Sequence, residues 1–134
     1  MDARKIPKGY HIPKNFEEII IKKDGYEHHI TKGKYLEPGS YVMVKPESYF
    51  NEVNPFYGFG DEMWYACGYI FKIRNIDKGY VSDDYPKAIQ KIYFEKPESM
   101  TDAEEIWFSR CVEDWSWNNE MVLPVRRIGR EIKI

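Results

Sequence analysis

A tryptophan, an acidic residue and a methionine occur together twice in this chain, each time beside an apolar run. The first set lies at 61–64 and precedes the apolar run 66–71. The second set lies at 115–121, directly before another apolar run. Aromatic side chains and methionine at the ends of short apolar runs are typical of β structure with a packed core. The pattern therefore predicts a mainly β fold, a small barrel with Met63 and Met121 facing its core at two corners. An α+β fold is the alternative.

Turn signals divide the chain into candidate strands. Asp24-Gly25 stands between β-branched and aromatic runs, which predicts an N-terminal hairpin. Pro38 and Gly39 occupy the central positions that a type II turn requires. Further strands are expected at 41–45, 64–75, 80–81, 89–95 and 122–125, with a bulge at Gly68.

Helical signals are few. Thr101 and Glu104 form a capping-box pattern, which predicts one short helix over 102–110, and a strand in the same region is the rival interpretation. Asn15 and Glu18 have the same spacing and predict a single helical turn. Residues 46–61 are expected to form a long aromatic loop, and loops of this length are usually functional or insertions.

Length and composition indicate one soluble domain. A chain of 134 residues is long enough for one domain, which we expect at 15–134. Residues 1–14 are expected to form an irregular basic arm, because prolines delay regular structure until after Pro13. No stretch of about 18 apolar residues is present, and the N-terminus lacks the apolar core of a secretory signal. Cys67 and Cys111 are predicted to be reduced core thiols of a cytoplasmic protein.

The charges are unevenly distributed. Each end carries four basic residues against one acidic residue, so a total charge of −2 leaves −8 on residues 15–121. An acidic body repels phosphate and disfavours binding of duplex nucleic acid across it. The basic C-terminus is interpreted either as a solubilising and contact segment or as an anion site.

The order of several short motifs resembles the small SH3-like barrels found in uncharacterised bacteriophage proteins, and more distantly the Mind-bomb-type repeat. The resemblance covers about 39–124 and rests on a Gly-x-x-Val-x-Val opening strand at 39–44, on Glu62-Met63 followed by Gly68, and on a closing Trp117-x-x-Glu120-Met121. It implies a small, strongly bent barrel that serves as a binding module, and it implies no particular activity. The N-terminal hairpin and the segments 46–61 and 95–114 are additions to that pattern.

Catalytic and metal-binding patterns are weak. His28 and His29 are neighbours on a predicted strand and point to opposite faces, so they are poorly placed to chelate one ion. Cys67 stands in an apolar run and Cys111 stands beside Val112 and Glu113, which favours core thiols over an activated nucleophile. The chain also lacks a nucleophile elbow or phosphate-binding glycine loop. The carboxylate pairs at 83–84, 104–105 and 113–114 flank turns or a helix start, where acidic residues are common. We therefore expect no enzyme activity, no metal and no cofactor, with a small hydrolase as the least favoured hypothesis.

Aromatic residues give the leading functional hypothesis. Exposed aromatic side chains form hot spots for protein partners or stacking platforms for bases. The leading hypothesis is a phage-encoded binding protein that neutralises a host factor, as in host takeover or anti-defence. The alternative is a protein that sequesters a nucleotide or nucleotide signal between aromatic rings and C-terminal arginines. In that case a homo-oligomer is expected, in which subunits complete the pocket. The candidate binding residues for a host protein or nucleotide are Tyr49, Phe56, Tyr57, Trp64, Trp115, Trp117, Arg126 and Arg127.

Overall fold

The chain folds into a mainly β structure, which confirms the predicted fold class. The computed structural model describes residues 5–56, 61–77, 88–113 and 115–128. The strands are β1 (Tyr10–His11), β2 (Glu18–Lys23), β3 (Tyr26–Thr31), β4 (Tyr41–Val44), β5 (Ile70–Asp77), β6 (Lys91–Glu95), β7 (Trp117–Asn118) and β8 (Val122–Arg127). The helices are α1 (Glu47–Glu52) and α2 (Asp102–Trp107), with 3-10 turns at Gly33–Tyr35 and Asp61–Ala66.

Six strands form one antiparallel sheet in the order β1-β8-β4-β5-β6-β7, and β2 and β3 form a separate hairpin. Within the described residues, β1 and β7 remain the two edges of the main sheet. The sheet is therefore open where the resemblance implied a closed barrel. A register shift between Ile73 and Asn75 interrupts the pairing of β5 with β6.

The predicted hairpin and type II turn are both present. Asp24 and Gly25 have φ angles of 53° and 82°, the left-handed pair that a two-residue hairpin turn requires. Gly39 has a φ of 91°, and Ser40 N–H donates to the Glu37 carbonyl at 2.9 Å, as expected for the turn before β4.

One apolar core lies against the inner face of the main sheet. Met63 and Met121 are both buried in it, as the repeated sequence pattern predicted. Trp117 is 1% exposed, and its indole N–H donates to the Val112 carbonyl at 2.9 Å. The other fully buried large apolar side chains are Ile30, Leu36, Phe71, Ile73, Ile89, Ile92 and Phe108.

The helix at α2 begins with the predicted capping box. Glu104 N–H donates to the Thr101 hydroxyl, and Thr101 N–H donates to the Glu104 carboxylate. A π-helical turn at Phe108–Val112 continues the helix and buries Phe108 and Val112 against the core. The rival strand interpretation of this segment is therefore wrong.

Five local predictions are wrong. Residues 46–61 contain α1 rather than only a loop, and Pro46 precedes its first turn. The expected strand over 64–75 begins only at Ile70, because the 3-10 turn Asp61–Ala66 buries Met63 and Ala66 on one side. The strand bulge expected at Gly68 is also wrong, because Gly68 has a φ of 84° and belongs to the turn before β5.

The other two corrections are near the N-terminus. The helical turn expected after Asn15 is absent from the described structure, and β2 begins at Glu18. Regular structure starts before Pro13, since Tyr10 and His11 pair with Arg127 and Arg126 of β8.

The predicted strand at 80–81 and the C-terminal residues 129–134 lie outside the described residues. Among the helices described, none is both long and apolar enough to cross a bilayer.

Candidate functional site

The turn between β7 and β8 contains a fully buried acidic residue. Glu120 is 0% exposed, and its carboxyl group accepts hydrogen bonds from Phe56 N–H at 2.8 Å and from the Tyr49 hydroxyl at 3.2 Å. A hydrogen bond of 2.6 Å joins the same group to His28 Nδ1. The His28 ring also stacks on Phe56 with centroids 4.1 Å apart. Glu120 therefore connects β3, α1 and the segment after α1.

The neighbouring residue fastens the hairpin to the main sheet. Asn119 Nδ2 donates to the carbonyls of Thr31 at 3.0 Å and Ala88 at 2.8 Å, and Asn119 Oδ1 accepts from Gln90 N–H. Thr31 N–H donates in turn to the Asn119 carbonyl, and the Thr31 hydroxyl donates to Val122. These bonds fix the position of β3 without direct strand pairing to β8.

A groove of about 690 Å³ lies between the hairpin and α1. We call it the hairpin groove. Its lining residues come from the hairpin and the segment before it, from the segment that joins β4 to α1, from α1 and the residue after it, and from β8. They are Phe16, Glu18, Gly25, Tyr26, Glu27, His29, Lys45, Pro46, Tyr49, Glu52, Val53 and Leu123.

The groove is acidic and aromatic. Glu18, Glu27 and Glu52 supply carboxylates, and His29 lies between the first two, with Nδ1 3.4 Å from Glu18 and Nε2 3.0 Å from Glu27. Tyr26 is 54% exposed, so its ring is available to a ligand. A cationic group would meet both carboxylates and an aromatic ring here.

The floor of the groove contains a buried lysine. Lys45 is 3% exposed, and its Nζ donates to the His29 carbonyl at 2.8 Å while lying 4.2 Å from the centre of the Tyr49 ring. Burial lowers the pKa of Lys45 to about 8, although the charges of Glu18 and Glu120 act in the opposite direction. Burial also raises the pKa of Tyr49, and the charge of Glu120 adds to that effect.

The predicted aromatic binding residues occupy several environments. Tyr49 lines the hairpin groove, and half-buried Phe56 packs on His28 beside it. Trp117 is in the core, while Trp64 and Trp115 are half-buried and pack against the core. These three tryptophans therefore do not form an exposed platform together, and Tyr57 lies outside the described residues.

The two predicted arginines contact different rings, although both line one cleft of about 240 Å³ with Tyr10 and Tyr41. Adjacent residues of a strand point to opposite faces. Arg126 lies over the Tyr35 ring at 5.4 Å, whereas Arg127 lies over the Tyr10 ring at 5.9 Å. Neither arginine is brought against Trp115 or Trp117 by an observed ring contact in the described part of the chain.

One of the three predicted carboxylate pairs, at 104–105, has structural contacts. Glu104 caps α2 and accepts a bond of 2.9 Å from the Tyr69 hydroxyl, and Glu105 lies 3.4 Å from Lys96. Glu113 is exposed. Residues 83–84 and Asp114 lie outside the described structure. Cys67 and Cys111 are both half-buried, which places them less deeply than predicted, and Cys67 packs against the core.

His28 and His29 point to opposite sides of β3, as predicted: His28 contacts Glu120 and His29 faces the hairpin groove. Over the ranges that the structure describes, no group of three or more His, Cys, Asp or Glu side chains is arranged to hold a metal ion.

Sequence reasoning missed Glu120 and Lys45. The signal for Glu120 was a polar run, Asn118 to Glu120, enclosed between a buried tryptophan and a methionine that begins an apolar strand. A polar run directly between two core residues indicates buried polar side chains that form hydrogen bonds with one another or with the backbone. Lys45 ends a strand and gave no local signal of burial.

Comparisons of the chain with protein-family models, with curated proteins and with solved structures found no match.

Proposed function

We propose that this chain is a non-enzymatic binding protein that holds a basic segment of a protein partner in the hairpin groove. The observation that supports this proposal is the combination of Glu18, Glu27 and Glu52 with the exposed Tyr26 ring in one groove. Lysine or arginine side chains of a partner would pair with the carboxylates and pack on the ring.

The groove is built on a fixed frame. Glu120 and Asn119 hold the hairpin, α1 and the main sheet together through buried hydrogen bonds. A pre-organised surface loses little conformational entropy when a partner binds, which favours affinity. The net charge of −8 on residues 15–121 also attracts a basic partner at long range. The resemblance to phage barrels makes a host factor the expected partner, which binding would neutralise.

A peptide titration tests the groove. We expect a fluorescein-labelled decapeptide of alternating lysine and glycine to bind, and its glutamate counterpart to bind at least tenfold more weakly. Replacing Glu27→Gln and Glu52→Gln together should weaken binding of the basic peptide about tenfold, since each lost charged contact contributes about 0.7 kcal/mol at a partly exposed site. Fluorescence anisotropy at low salt measures both.

The matched control is the pair Glu37→Gln and Glu98→Gln, two exposed acidic residues that do not line the groove. It changes the net charge by the same amount. An equal loss of affinity in both pairs would show that overall charge attracts the peptide, and the proposal would then be wrong. In a pull-down with the immobilised protein, the variant with Glu27→Gln and Glu52→Gln should lose the host partner. The variant with Glu37→Gln and Glu98→Gln should retain it.

A further inference from the structure

Four aromatic and basic side chains share the outer face of the main sheet, and none of them lines the hairpin groove. Tyr10 of β1 stands opposite Arg127 of β8, and Tyr41 of β4 stands opposite Lys72 of β5. Tyr41 also pairs with Val125, two positions before Arg127, so all four residues lie on one face. We call Tyr10, Tyr41, Lys72 and Arg127 the tyrosine strip.

The members of the strip are in contact. The Tyr10 and Tyr41 rings meet edge to face with centroids 5.2 Å apart, and the Arg127 guanidinium lies 5.9 Å from the centre of the Tyr10 ring. Arg127 and Lys72 are both exposed. Two rings therefore stand between two solvent-facing cations.

Tyr41 separates two shallow clefts. One, of about 240 Å³, is bordered by Tyr10, Tyr41 and Arg127. The other, of about 320 Å³, is bordered by Tyr41, Lys72 and Lys5 and also by Glu95 and Glu98, and Glu95 stands opposite Lys72 on β6. Lys96 also borders it but is paired with Glu105. Cations thus lie at both ends of the tyrosines, with Glu95 beside Lys72 at one of them.

We propose that the tyrosine strip binds a short single-stranded nucleic acid, with phosphates at Arg127 and at Lys72 and Lys5, and with bases against Tyr10 and Tyr41. Rings alternating with cations suit this ligand, because every base has a stacking face and every linkage has a charge. A mononucleotide fits less well, since small ligands usually require a site that encloses most of their surface. The strip crosses β1, β8, β4 and β5, a span of about 14 Å at the usual strand spacing. This inference concerns a surface that does not contribute to the hairpin groove.

The test is a titration of fluorescein-labelled oligo(dT) and oligo(U) octamers at about 50 mM salt. Replacing Arg127→Ala and Lys72→Ala together should weaken binding at least tenfold and make the salt dependence shallower by roughly 1.4 in log–log slope, since each lost phosphate contact to a single strand contributes about 0.7. Replacing Tyr10→Leu should weaken binding about tenfold and leave the slope unchanged, because stacking involves no counterion release.

The charge-matched control is Lys14→Ala with Lys22→Ala, two exposed lysines outside the strip, and it should change affinity less than twofold. Thermal unfolding confirms that each variant is folded. The inference is overturned if neither octamer binds, if the control pair loses as much affinity as the strip pair, or if thymidine monophosphate or duplex DNA binds as tightly as the octamers. The pair Glu27→Gln and Glu52→Gln should leave octamer binding intact, which separates this test from that of the hairpin groove.

Discussion

Glu120 is a carboxyl group with no exposed surface, and its three hydrogen-bond partners come from β3, from α1 and from the segment after α1. Replacing Glu120→Gln keeps the size of the side chain but puts an amide donor where the Tyr49 hydroxyl or Phe56 N–H also donates. We expect the free energy of unfolding to fall by about 3 kcal/mol, since a buried charged network loses an acceptor that nothing replaces. Urea unfolding measures this change.

The control for that substitution is Glu98→Gln, which is exposed and should change the free energy of unfolding by less than about 0.5 kcal/mol. Two variants with the same urea midpoint would contradict the proposed role of Glu120.

At the level of residues, the sequence correctly predicted which side chains are buried where the neighbouring residues along the chain indicate it. Met63 and Met121 adjoin apolar runs, and both are in the core. The partner of Glu120 could not be predicted, because His28 is 92 positions away and becomes its neighbour only when the hairpin packs on the sheet. The hairpin groove was missed for the same reason, although Tyr49, one of the candidate binding residues, is among the residues that line it.

Among the elements, α2 depends most clearly on a local signal. Thr101→Ala removes the hydroxyl that accepts from Glu104 N–H, so we expect a loss of about 1 kcal/mol in the free energy of unfolding. Thr101→Ser keeps that hydroxyl and should stay within a few tenths of a kcal/mol of the original protein. Chemical denaturation of both variants measures the difference, and equal losses would show that the capping box does not stabilise the helix.

Elements were predicted well where a turn demanded particular residues. The hairpin at Asp24-Gly25 and the capping box at Thr101 each have a signature set by backbone geometry. The last part of the 3-10 turn Asp61–Ala66, from 64 to 66, was mistaken for the start of a strand because its aromatic and apolar residues also suit β structure. Spacing would have been a better guide, since Met63 and Ala66 are buried three positions apart while Tyr65 between them is exposed.

In the molecule as a whole, buried polar groups join two sheets that do not pair as strands. Thr31 and Asn119 connect the hairpin to the main sheet, and Lys45 contacts the hairpin through the His29 carbonyl. Such contacts fix orientation, because each hydrogen bond is satisfied in only one arrangement. The acidic groove and the basic tyrosine strip are therefore held on one frame, and a partner at either surface meets a pre-formed site.

The ionisation of Lys45 should make the stability of this frame depend on pH. Its pKa is about 8 in the folded protein and 10.5 in the reference state, so the unfolded chain binds more protons between these values. Stability therefore rises as pH increases through this window. Between pH 7 and pH 9.5 the free energy of unfolding should gain about 2 kcal/mol from this group, at about 1.4 kcal/mol for each unit of pH at full effect.

The variant Lys45→Met isolates this contribution, because it removes the titrating group and keeps most of the apolar stem. Urea unfolding at pH 7 and pH 9.5 gives the change in stability for each protein, and the original protein should gain about 2 kcal/mol more than the variant. The upper pH stays below 10 because the raised pKa of Tyr49 acts in the opposite direction there: its folded phenol resists ionisation, so stability falls once the unfolded tyrosine begins to lose its proton. Equal gains in the two proteins would mean that Lys45 is charged and well compensated in the folded state, and that its burial does not oppose folding.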